Sequence, residues 1–118
     1  MIQNKYITAY EKINDFSAEI LALFNSPGQQ QMNKRLEKEF HSLSAALSEG
    51  FSLPGLYNSP DYKWRLSKII ITILTLLSMA AKLEMITNKQ LGSIAQRFNE
   101  IMLIVIDKDL PYPEKLKS

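Results

Sequence analysis

A chain of 118 residues, 46% hydrophobic and 22% charged, makes one globular domain and not two. With no cysteine and a single histidine, it has no disulfide framework, thiolate zinc site, cysteine nucleophile or histidine metal cluster. Fourteen Lys and Arg against twelve Asp and Glu leave a net charge of +2, too small by itself to mark a nucleic-acid binder.

The first predicted element is a helix over about residues 3–24. Tyr6, Tyr10, Ile13, Phe16, Ile20, Leu23 and Phe24 recur at steps of three and four, which places them on one face. Glu11, Lys12, Asp15 and Glu19 fall mostly on the other face, and Asn25-Ser26-Pro27 stops the helix.

A second helix is predicted over about 29–49. Met32, Leu36, Phe40, Leu43 and Leu47 form a narrow seam that Ala45 and Ala46 widen near its end. Gly50 then stands where a helix C-terminus favours a left-handed residue. The loop from Gly50 to Ser59 carries four large apolar groups, Phe51, Leu53, Leu56 and Tyr57. They are expected to cap one end of the fold; a docking surface for a partner chain is the alternative.

A third helix is predicted over about 60–86. Ser59 supplies an N-cap oxygen, Pro60 suits the first helical position, and Asp61 complements the helix dipole. Ile69, Ile70, Ile71, Ile73, Leu74, Leu76 and Leu77 then cover nearly the whole circumference, so this helix is expected to be buried on more than one side. The apolar run Ile69–Ala81 is shorter than the roughly 20 residues a spanning helix needs, and Lys68 and Lys82 bound it. The N-terminal residues show neither an apolar signal core nor a small-residue cleavage site. A soluble cytoplasmic protein with no membrane partner is the expectation.

The fourth helix is predicted over about 88–107, with Thr87 and Gln90 spaced as a capping box. Leu91, Ile94, Ala95, Phe98, Ile101, Met102 and Val105 form its stripe, while Leu103, Ile104 and Ile106 fall outside it. No alternating strand pattern occurs. The fold expected is all-α, an antiparallel up-down-up-down four-helix bundle over 1–107, followed by a flexible C-terminal tail over 108–118.

The apolar surplus of the third and fourth helices has two accounts. One is a wide core stripe with a few exposed aliphatics. The other, favoured here, is self-association through Ile70, Ile71, Leu74, Leu77, Leu103 and Ile106 into a closed, ring-shaped homo-oligomer.

Few residues suggest catalysis. His41 lacks any sign of a positioned partner and is expected to be solvated or structural. Glu11, Asp15 and Glu19 step by four but come without the Glu-x-x-His pairs of di-metal bundles, so a solvated acidic face is expected. With no phosphate-binding loop, nucleophile elbow or His-Glu-x-x-His, neither an enzyme nor a cofactor is expected.

The basic residues say more. Lys34, Arg35 and Lys38 lie on the second helix, and Lys63, Arg65 and Lys68 open the third among the aromatics Tyr57, Tyr62 and Trp64. Cations of this kind contact phosphates, and Trp64 and Tyr62 could stack on exposed bases. For one monomer the plainer account is a solvated helix end with Trp64 in the core; repetition around an oligomer would strengthen the field.

Two segments carry a resemblance. Ser42-Leu43-Ser44-Ala45-Ala46-Leu47-Ser48-Glu49-Gly50 is similar to a small-residue run closing a second helix with an acid and a glycine. Leu83-Glu84-Met85-Ile86-Thr87-Asn88-Lys89-Gln90-Leu91 is similar to a helix, hydrophobic turn, Ser/Thr cap and new helix. Over about residues 5–107 the chain resembles the bacterial four-helix-bundle family of ribosomal-RNA intervening-sequence proteins. That broad group includes the accessory variability determinants of diversity-generating retroelements. The resemblance implies a homopentameric barrel that binds a reverse transcriptase and RNA or DNA through basic surfaces. The function expected is a non-enzymatic accessory protein that binds nucleic acid and docks such an enzyme; the alternative is a protein-interaction scaffold with no nucleic-acid role.

Overall fold

The computed structural model describes residues 2–53 and 59–106. The expected tail over 108–118 lies outside the described residues, as do Leu56 and Tyr57 of the apolar loop. Four helices carry the fold: α1 (Ile2–Ala22), α2 (Gln30–Ser52), α3 (Pro60–Lys82) and α4 (Asn88–Ile106), with a 3-10 turn at Pro27–Gln29 before α2. Among the described residues there is no strand. The all-helical expectation is met, and the arrangement is compatible with a four-helix bundle.

Helix α1 packs on α2, α2 on α3, α3 on α4 and α4 on α1, which closes a cycle around one core. Aromatic rings fill its middle. Phe98 of α4 meets Phe16 of α1 edge-on at 4.9 Å and stacks on Phe40 of α2 at 5.8 Å. All three are buried.

The local start signals act as read. Ser59 accepts a hydrogen bond from the Tyr62 amide at 3.4 Å, with Pro60 and Asp61 in the first turn of α3. Thr87 and Gln90 close a reciprocal capping box, with bonds of 2.8 and 3.0 Å. The Asn33 side chain donates to the carbonyls of Phe24 and of Leu21, the latter also accepting from the Phe24 amide, so α2 ties down the end of α1.

Two boundaries differ from expectation. Helix α2 does not end at Gly50 but continues to Ser52. Gly50 is buried inside it, and a Cβ there would collide with Tyr62 Oη and lie 2.7 Å from Tyr6 Cδ1. Glycine is required by close approach, not by a left-handed cap. Helix α3 stops at Lys82 instead of 86. Glu84 adopts φ 62°, Met85 N–H donates to the Ala80 carbonyl, and Glu84 N–H donates to that of Ala81. This is a Schellman stop with a non-glycine residue at its left-handed position.

The broad apolar arc of α3 is mostly internal. Ile70, Ile73, Leu74, Leu76 and Leu77 are all buried within this one chain, while Thr72, Thr75 and Met79 face outward. By length and composition α3 could cross a membrane, but half of its most apolar window is buried in the chain's own core.

Candidate nucleic-acid interface

The Ser59 cap sets the phase of the first turns of α3, and that phase turns Trp64 outward. Its side chain is 57% exposed, so the plainer account of a core tryptophan is overturned. Lys63 beside it is half-buried and Lys68, one turn on, is exposed. Neither lysine has an ion-pair partner among the described residues.

Two expected members of the site are committed elsewhere. Tyr62 is 3% exposed, and its hydroxyl donates to the Ala46 carbonyl at 2.7 Å. Its role as a stacking group is therefore corrected: the ring is a core element against Tyr6, with centroids 6.2 Å apart. Burial, reinforced by Tyr6, pushes the Tyr62 hydroxyl well above the ordinary tyrosine range, although Arg65 pulls the other way. Arg65 donates to Glu49 at 2.7 Å, with its guanidinium 5.5 Å from the Tyr62 ring. Its charge is balanced by α2 and its direction is set by that pair.

Lys34, Arg35 and Lys38 are all exposed on α2, but they do not join the α3 group. The Arg65–Glu49 pair puts the start of α3 beside the last turns of α2. Lys38, the nearest of the three, lies about three turns back from Glu49, about 17 Å along the helix axis, and Arg35 about 21 Å. The basic residues therefore form two separate groups.

Sequence reasoning missed Arg97. From α4 it pairs with Glu19 of α1 at 2.7 Å and lies 4.3 Å over the Phe16 ring. With Lys12, Asp15, Glu100 and Ile101 it lines an open hollow of mixed charge. The residues are 78 apart in sequence, so no local spacing signals the pair. Glu11 and Asp15 are exposed, as is His41. Among the described residues no group of three or more His, Cys, Asp or Glu could hold a metal ion.

The expected oligomer surface also changes. Ile70, Leu74 and Leu77 are 0% exposed within the single chain, so these three cannot contact a second copy without unpacking the core. Ile71 is half-buried, Leu103 is 36% exposed, and the Ile106 side chain lies outside the described residues. The wide-core account holds for most of α3: an isolated helical wheel cannot tell a second exposed face from a core contacted by two neighbours.

Comparison with protein-family models, with curated proteins and with solved structures found no match to this chain.

Proposed function

We propose that this chain is a non-enzymatic accessory protein that binds nucleic acid through the start of α3. The observation that carries the reading is the outward Trp64 with Lys63 and Lys68 beside it, neither ion-paired among the described residues. Tryptophan is highly buried on average, and an indole more than half in water beside cations suits a ligand with both π-faces and phosphates. Lys34, Arg35 and Lys38 provide a second, more distant phosphate contact.

The reading includes an antiparallel up-down-up-down course in the cytoplasm. The antiparallel course is supported by opposite progressions on α1 and α2: Leu21 meets Asn33, Asn14 meets Ser44, and Tyr6 faces Gly50. The ring-shaped homo-oligomer, its pentameric size and the reverse-transcriptase partner rest on the resemblance. The half-buried Ile71 and the exposed Leu103 are the interface candidates that remain among the described side chains.

Exposed tryptophan is also a frequent anchor between proteins, and Arg65 is already balanced by Glu49. Those two points favour the scaffold with no nucleic-acid role as the second reading. Salt-dependent anisotropy with a labelled RNA hairpin separates them, with native mass spectrometry reporting the oligomer. The accessory reading expects binding that falls with salt and is lost in Lys63→Glu/Lys68→Glu while helicity and mass stay unchanged. Absence of binding by the wild-type chain at low salt overturns it.

A further inference from the structure

Resting on that reading, we infer that the α3 face around Trp64 selects single-stranded over duplex nucleic acid. The indole stacks on an unpaired base while Lys63 and Lys68 hold neighbouring phosphates. Three observations lead there.

The first is what the face lacks. Duplex sequence is read at base edges by Arg or Lys on guanine or by Asn and Gln on adenine, and of these the face offers only its two lysines. Helix α3 contains no Asn or Gln, and its one Arg is held by Glu49 at 2.7 Å.

The second is what the face offers. Trp64 presents a flat ring to solvent, and a flat ring needs the face of a base. In a duplex those faces are covered by the bases above and below. In a single strand they are free.

The third is spacing. Trp64 and Lys68 are four residues apart on one helix, with Cβ atoms about 5–6 Å from each other. A base resting on the indole then brings its phosphate close to the ammonium. Lys63, one position before Trp64 and about 100° round the helix, adds a second cation at the edge of this face. The lysine cations around this aromatic platform complement a flexible polyanion that threads past on the Lys68 side, away from the exposed Asp61 three residues before Trp64. A rigid duplex has to engage many phosphates at once, and the cations on α2 begin about 17 Å back from Glu49 along the axis, at Lys38.

The test uses the full chain. Trp64 is the only tryptophan, so its emission reports this face and nothing else. The probes are an oligothymidylate of about 15 nucleotides, within the span of known single-strand sites, and a blunt duplex of the same length. The expected result is quenching by the single strand, with affinity at least about tenfold above the duplex. Trp64→Ala should weaken single-strand binding about fivefold or more, and Trp64→Phe much less. Trp64→Ala should leave the salt dependence unchanged, whereas Lys63→Gln/Lys68→Gln should lower its slope by about 1.4.

Equal affinity for both probes, with emission unchanged, overturns strand selection and leaves nucleic-acid binding standing. Failure of both probes to bind at low salt overturns strand selection and nucleic-acid binding together. Emission that shifts with protein concentration alone, together with a lower oligomer mass in Trp64→Ala, means that a second copy covers the face and also overturns the inference.

Discussion

Replacing Gly50 with alanine adds one methyl group at the point where α2 passes closest to two tyrosines. The new Cβ would collide with Tyr62 Oη and sit 2.7 Å from Tyr6 Cδ1, and both rings are buried with nowhere to swing. Overpacking of this kind destabilises by about 1–3 kcal/mol. Displacing the Tyr62 hydroxyl also breaks its 2.7 Å bond to the Ala46 carbonyl, a further loss of about 1 kcal/mol. Against that, alanine is the better helix former by about 1 kcal/mol. The net expectation is a loss of about 1–3 kcal/mol, read as a lower urea midpoint by circular dichroism. Because the nearest obstacle is the phenolic oxygen, the penalty should shrink in a Tyr62→Phe background by at least about 0.5 kcal/mol. A left-handed cap would instead give a penalty independent of Tyr62. Gly50→Ala as stable as wild type, or an equal penalty in both backgrounds, refutes the close-approach account.

Three further outcomes follow from single residues. Glu84→Gly should stabilise by about 0.5–1 kcal/mol in thermal unfolding: a left-handed side chain costs about 1–2 kcal/mol, and glycine's added freedom when unfolded returns about 0.4–1 of it. Thr87→Ala, three residues on, should destabilise by about 1 kcal/mol, because it removes one arm of the capping box. Burial holds the Tyr62 hydroxyl above its ordinary value of 10.0, so below that pH it is neutral in both folded and unfolded chains. As pH rises past 10.0 the unfolded chain loses this proton first, so stability falls on the alkaline side. Urea midpoints taken on either side of that value should show the loss in wild type and a smaller one in Tyr62→Phe.

What the sequence made legible was local. Ser59-Pro60-Asp61 and Thr87/Gln90 name helix starts because the atoms that satisfy the free amides sit within three residues of them. The stripes of α1 and α2 were legible for the same reason, since a helix fixes which residues share a face. Gly50 was misjudged because its reason lies in Tyr6 and Tyr62, on other helices. The early stop of α3 was missed because Glu84 occupies a position where glycine would have announced the turn. Ile70, Leu74 and Leu77 were placed on a second face because the width of a buried arc depends on how two neighbouring helices close over it. At the candidate site the basic and aromatic composition was readable. Which aromatic faces water was not: Tyr62 and Trp64 are two residues apart and lie on opposite sides of the same helix turn.

Phe98 belongs to a helix that lies alongside α1 and α3, yet its ring stacks on Phe40 of α2 as well as meeting Phe16 of α1. It reaches across the middle of the fold. A helix held only along its edges can swing out while the remainder stays intact. One pinned at its centre to the far side cannot leave without opening the whole interior. Deuterium uptake at the central amides of α4 should therefore match the rate of complete unfolding, while the amides of its first turn, held by Thr87 and Gln90 alone, exchange through small local openings.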